Sequence, residues 1–318
     1  MSIVPDGLFQ YGGQPVGSLW ASPWGKVYFV DGKNGNTSND GLTPGTALST
    51  IAAACAKAVK DDVIYIRPLD YGIGHGLERY SEDVTLTATN TGLNYAGGAT
   101  YPLLTPSNIS IIGCSNTVTP QFSARWKAAT ATALTNTTPA LHVENIGFFA
   151  EDLKCVSLLN NGVTDTQRGM DGVTFVNCDF KGGGVTGSDG FTSLAFNRCR
   201  FEPKYNGEVD NALTITGTTN PGNKLTIQNC EFLDGSNGTV ANGPWIILAS
   251  SITDVIIRDC YFGQVPTGTA YITGTSTTVE GVVHNCYFGN ADMVLATGIA
   301  ATGLITSGIY DLLGLVVA

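Results

Sequence analysis

Charge is scarce in this chain, and positive charge scarcer still: Asp, Glu, Lys and Arg make up 13% of the residues, with 16 Lys and Arg against 26 Asp and Glu. So few ionisable groups suit an extensive β surface rather than helical bundles. The formal net charge of −10 sets the chain against a phosphate backbone, so no nucleic-acid partner is expected. Histidine is nearly missing. His75, His142 and His284 are the three, and no Cys-x-x-Cys pair occurs, which takes away the usual ligand sets of a zinc site; no cofactor is expected. Long apolar runs are equally rare. The opening MSIVPDGLFQYGGQPVG has neither a basic n-region nor a long apolar stretch, so it does not read as a signal peptide. Met293 to Tyr310 is 18 residues without a charge, which approaches spanning length. Gly298, Gly303 and Gly308 interrupt it and Asp292 and Asp311 bracket it, so the reading is a final coil plus a tail, not a membrane span.

What the chain has in quantity is repetition. One phrase recurs five times, as VTFVNCDF at 173 to 180, LAFNRCRF at 194 to 201, LTIQNCEF at 225 to 232, VIIRDCYF at 255 to 262 and GVVHNCYF at 281 to 288. Units that recur every 21 to 31 residues, none able to bury its apolar face alone, are coils of a solenoid. Within a unit the alternation is that of a strand buried on one face, with Val173 and Phe175 inward and Thr174 and Val176 outward. Asn177 then bends the chain, because Asn tolerates the left-handed backbone region. A second short strand follows, with Cys178 and Phe180 inward and Asp179 outward. Asn229, Asp259 and Asn285 fill the same corner, and Arg198 departs from it.

Equivalent residues in stacked coils stand ~4.8 Å apart. Cys178, Cys199, Cys230, Cys260 and Cys286 should therefore form one interior column, beside a column of Phe180, Phe201, Phe232, Phe262 and Phe288. Adjacent strands in a ladder seldom meet the disulfide dihedral requirement, so these read as buried thiols, not bridges. Fainter coils precede them: NISIIGC at 108 to 114, with Gly113 at the corner, and HVENIGFFAEDLKC at 142 to 155, which has the strand pattern without the Asn-Cys step. Strand, sharp turn and strand with no helix between leaves parallel pairing between coils. The expected fold is all-β, a right-handed single-stranded parallel β-helix of about seven or eight coils. It spans residues 26–290, behind an extended arm at 1–25 and ahead of an apolar end at 291–318.

Residues 26 to 66 follow another grammar. A strand, Val27 to Val30, leads into a Gly/Asn/Asp loop, a helix at about 47–59, and a strand from Val63 to Ile66. Ala47, Leu48, Ile51, Ala52, Cys55 and Val59 share one face of that helix at spacings of three and four, as a cap over the open end of a solenoid requires. Asp31, Asn34, Asn36, Asn39 and Asp40 lack EF-hand spacing and its terminal Glu, so they read as turn-stabilising side chains and not as a calcium site. GIGHG at 72 to 76 has no following Lys-Ser/Thr, so His75 reads as a loop residue, not part of a phosphate loop.

The run Val30-Asp31-Gly32, Asn39-Asp40-Gly41-Leu42-Thr43-Pro44, Ala47 and Ile51-Ala52, followed by the Asn-Cys-x-Phe coils, resembles pectate-lyase-like β-helix proteins. Among these it resembles notably the tailspikes and other virion proteins of tailed bacteriophages. PDGLFQYGGQPVGSLWASPWGK resembles the short arms that open virion proteins of the capsid-decorating kind. The resemblance implies a structural virion protein, a decoration or cement protein on the capsid surface made without a signal peptide. Its partners would be the major capsid protein and itself, as a homotrimer. Contact residues would lie in the ends, at Phe9, Tyr11, Trp20, Trp24, Leu312, Leu313 and Leu315. The alternative is a tailspike-type protein, a polysaccharide lyase or glycoside hydrolase acting on a host surface glycan. Fold alone does not choose, since one fold hosts many activities.

The outward positions are where chemistry would sit. After the Cys, the row reads Asp179, Arg200, Glu231, Tyr261, Tyr287; two residues before it, Val176, Asn197, Gln228, Arg258, His284. Asp179 and Glu231 are two coils apart, roughly 9.6 Å, at the edge of the range for inverting glycosidase carboxylates. Arg200 between them predicts cross-strand charge pairing that keeps both carboxylates ionised. No three-Asp or calcium-carboxylate cluster is legible. The expectation is thus of no catalytic residues, with Asp179, Glu231 and Arg200 as the alternative set.

Overall fold

The corner residue of each coil sets the architecture. At Asn177, Arg198, Asn229, Asp259 and Asn285, φ is 52°, 53°, 53°, 55° and 51°, the left-handed region in which Asn and Asp are least penalised. Asn145 takes the same conformation at 57°, so HVENIGFF does carry the corner, with Ile146 in the place of the cysteine. Gly113 is different. It lies in a strand, and φ is not positive there; an added Cβ would stand 2.0 Å from the Asn145 carbonyl oxygen, so close approach is what requires glycine. The corners also bond to one another: Asn177 Nδ2 donates to Asn145 Oδ1 at 2.6 Å, and Asn285 Nδ2 to Asp259 Oδ1 at 2.6 Å.

The computed structural model describes residues 25–69, 78–87, 107–114, 124–150, 153–159, 170–188, 190–203, 211–216, 222–233, 244–249, 251–264, 270–274 and 279–289, with the backbone of further strands at 9–11, 14–16, 89–90, 93–94, 100–101, 104–105, 294–297 and 304–310. Three parallel ladders wrap one core. The first runs from Val27–Val30 through Val63–Ile66, Ser110–Gly113, His142–Glu144, Val173–Val176, Ser193–Asn197, Gly222–Gln228 and Ile252–Arg258 to Val279–Phe288 and Leu304–Tyr310. The second lies past the corner, from Tyr80–Ser81 through Asp179–Gly182 and Arg200–Pro203 to Tyr261–Phe262 and the end of Val279–Phe288. The third has eight strands, from Val84–Leu86 to Val294–Thr297. The chain is a parallel β-helix, and its ladders run on past residue 290 to Tyr310.

Inside, like stacks on like. Phe148, Phe180, Phe201, Phe232, Phe262 and Phe288 form one column, with ring centroids 5.5, 4.9, 4.8, 4.4 and 4.9 Å apart and successive rings within 16° of parallel. Trp126 extends it at 5.5 Å from Phe148. Burying each ring is worth ~2–3 kcal/mol, and offset stacking adds ~1. The five cysteines of the repeat are buried and free. Each thiol is directed at a carbonyl of the preceding coil, Cys178 at Val143 (3.6 Å), Cys199 at Phe175 (3.5 Å), Cys230 at Phe196 (3.7 Å), Cys260 at Ile227 (3.7 Å) and Cys286 at Ile257 (3.9 Å). Burial pushes the Cys178 and Cys230 thiols up, as it pushes those of Cys55 and Cys155 up to about 12.

The N-terminal cap is shorter than the periodicity predicts. The helix, α1, is Ile51–Lys57, with the Thr50 side chain capping Ala53 N. Ala47 and Leu48 are buried but not helical; Leu48 bridges in parallel to Val30, which covers the edge of the first strand. Ala52 and Val59 are exposed, Val59 by 56%, so the packing face is Ile51, Ala54 and Cys55. The Asn/Asp loop before α1 spends its side chains on itself. Asp31 accepts from Lys33 N, Asn34 N and Nδ2 and, at 2.6 Å, from Arg67 Nη1, while Asn39 Nδ2 donates to Ala47 O and Asp40 Oδ1 accepts from Thr46 Oγ1. Burial opposes ionisation of Asp31, and these hydrogen bonds, from Asn34 and Arg67 above all, outweigh it and lower its pKa. His75 lies outside the described residues, and no described helix is long and apolar enough to cross a membrane.

Candidate functional site: the outward row of the second sheet

Register places the expected row on one face. Asp179 is opposite Arg200, Arg200 opposite Glu231, Glu231 opposite Tyr261, and Tyr261 opposite Tyr287. The parallel row of the first sheet is in register too, from Val176 to His284, and Arg258 donates to Gln228 Oε1 through Nε (3.1 Å) and Nη2 (2.7 Å). The row that begins at Asp179 changes in exposure along its length. Tyr261 and Tyr287 stand out into solvent at 40% and 46%, whereas Asp179 is only 4% exposed.

That burial sets Asp179 apart from the other members of its row. Its carboxyl is pushed up to about 6, first by loss of solvent; Arg200, Lys181 and Arg125 pull it down, and Glu202 pushes it further up. Arg200 does not divide itself between the two carboxylates of the row. Its Nη2 donates to Glu202 Oε2 at 3.3 Å, and Glu202 Oε1 is also paired with Lys181 Nζ at 3.0 Å. The Arg200 Nε and the Asp179 Oδ1 are buried and have no hydrogen-bond partner. Glu202, itself buried, is the residue that sequence reasoning missed. A signal was present: when DFKG at 179 is laid over RFEP at 200, Lys181 falls opposite Glu202, and that pairing is the observed register.

The described residues also bring together a polar set on the first sheet. On the outward face of the first sheet, His142 Nδ1 lies 2.7 Å from Thr174 Oγ1 and Nε2 lies 3.3 Å from Glu144 Oε2. The order hydroxyl, imidazole, carboxylate is that of an activated nucleophile. Yet the neighbouring amides are committed to the ladder, Thr174 N to Leu141 O and His142 N to Ile109 O, so neither is free to stabilise an oxyanion. The set works as a cross-strand polar cluster. Among the described residues no group of three or more His, Cys, Asp or Glu is arranged to hold a metal. Of the expected contact residues, Phe9 and Tyr11 lie in a strand whose backbone alone is described, and Trp20, Trp24, Leu312, Leu313 and Leu315 lie outside the described residues.

No family model matches the chain, and no curated protein does. Similarity appears among solved structures. The pectin methylesterase PemA from Erwinia chrysanthemi is 13% identical over 92% of this chain and 90% of its own, with a TM-score of 0.46. The pectate lyase Pel9A is 15% identical over 92% and 82%, with a TM-score of 0.45. ORF18 of Geobacillus virus E2 is 12% identical over 79% of this chain and 54% of its own, at 0.37.

Proposed function

We propose that this chain is a non-enzymatic structural protein of a phage virion, which decorates or cements the capsid shell through its terminal segments. One observation carries the reading. Among the described residues, the strands Phe9–Tyr11 and Gln14–Val16 pair with each other as a two-stranded antiparallel sheet separate from the three ladders. A lone hairpin of this length is marginal in water. It gains stability by lying on another surface, and a segment rich in Gly, Pro and aromatics is suited to that. The partners are the major capsid protein and further copies of this chain as a homotrimer. Chain lacking residues 1–24 should keep its β-helix by circular dichroism and fail to co-sediment with expanded capsids. If the truncated chain binds shells as well as the full chain, or if imaging finds the protein only at the tail vertex, the reading fails.

A second reading draws on Asp179 and the two exposed tyrosines of the same row: a tailspike-type protein that binds or depolymerises a host surface polysaccharide. Depolymerisation of capsular or lipopolysaccharide that is lost in Asp179→Asn or Glu231→Gln would select it over the first.

A further inference from the structure

Two buried atoms of opposite character, neither of them bonded, belong to residues directly opposite one another in adjacent coils. Asp179 Oδ1 is an acceptor and Arg200 Nε a donor, and both lack a partner. Their residues are directly opposite in a parallel ladder, so their Cβ atoms stand ~5 Å apart, well within reach of an arginine side chain. They stay unbonded because the guanidinium is turned along its own strand to Glu202, at 3.3 Å. Glu202 does not depend on it, since Lys181 Nζ holds the other oxygen at 3.0 Å.

We infer that Arg200 is a two-position guanidinium set by the proton on Asp179: it bonds Glu202 while Asp179 is protonated, and turns to Asp179 when that carboxyl ionises, leaving Glu202 to Lys181. The charges around Asp179 allow both positions. Facing it are Arg125 from the strand Ala124–Lys127, Lys181 on its own strand, Arg200 and Glu202 on the next, and the Cys155 thiol from the third sheet. Three of the four charged groups are cations, so ionisation of Asp179 does not leave a lone buried anion. The carboxyl pushed up to about 6 puts the exchange at mildly acidic pH. The proton and the guanidinium are the only things that move, and the ladder hydrogen bonds of both strands are untouched.

The test follows the Arg200 Nε–Hε resonance of the full-length protein, assigned by Arg200→Lys, from pH 4.5 to 8, with circular dichroism at each pH to show that the fold persists. A single step is expected in Arg200, with the midpoint of the Asp179 carboxyl carbon. Asp179→Asn should abolish it. Glu202→Gln should move the midpoint to lower pH, because a repelling carboxylate is removed and the guanidinium released. A flat Arg200 signal, a step that survives in Asp179→Asn, or a midpoint unmoved by Glu202→Gln overturns the inference.

Discussion

Cys178 and Asp179 are neighbours in the chain and stand on opposite sides of the same sheet, one at the head of a column of five cysteines, the other at the head of a row that runs Asp, Arg, Glu, Tyr, Tyr. The inner column can repeat because apolar contact is non-directional: a phenyl ring is satisfied by another phenyl ring one rung away. The outer row cannot repeat a charge, since like charges directly opposite are destabilising. It alternates Asp, Arg, Glu and then passes to tyrosine. Stability therefore resides in the column, and sensitivity to conditions resides in the row.

The largest effect should come from breaking the column. Phe232 stacks on Phe201 at 4.8 Å and on Phe262 at 4.4 Å, so Phe232→Ala removes both contacts and leaves a cavity between coils. A loss of ~3–5 kcal/mol is expected in urea unfolding. A loss below ~1 kcal/mol would mean that the coils collapse on the void and that the column is not the seat of stability.

The row should answer to pH instead. Asp179 is raised from 3.8 to about 6, so the folded chain binds its proton more tightly than the unfolded chain does. The stability linked to that proton is fully present below about pH 4 and is lost as pH rises through about 6. Two units correspond to ~3 kcal/mol. Asp179→Asn should therefore match the wild type at pH 4 and exceed its stability by up to ~3 kcal/mol at pH 8. Thermal melts at the two pH values measure this, and an Asn variant less stable at pH 8 would show that pairing with Arg200 stabilises the ionised carboxylate by more than its burial costs.

The smallest effect belongs to the corners that separate column from row. Arg198 holds φ at 53°, a conformation in which Asn is less penalised than Arg. Arg198→Asn should stabilise by a few tenths up to ~1 kcal/mol, while Asn229→Val at the equivalent corner should cost ~1–2. If the two substitutions shift the denaturation midpoint in the same direction, the corner is not selecting for left-handed backbone.

Much of this was legible beforehand, and for a common reason. The corner at Asn177, the inward phase of Cys178 and Phe180 and the stacking of equivalent positions depend on residues one or two apart, repeated five times. Where the repeat thinned, the reading thinned with it: Asn145 was not recognised as a corner because Ile146 replaces the cysteine. Helical spacing from Ala47 predicts a longer helix than forms, because Leu48 is used as a bridge to Val30. Glu202 lies just past the end of the LAFNRCRF phrase, so the repeat itself draws no attention to it.

The sequence by itself determined the solenoid, the corners of the five Cys-x-Phe coils and the residues that line the interior. Those follow from local φ preferences and from apolar periodicity, which every coil carries in its own residues. Only the tertiary structure decided that Asp179 loses its solvent, that Arg200 bonds Glu202 rather than the carboxylates in its own row, and that α1 begins at Ile51. Burial and ion pairing depend on what neighbouring coils place a few ångströms away, and no single coil contains that information.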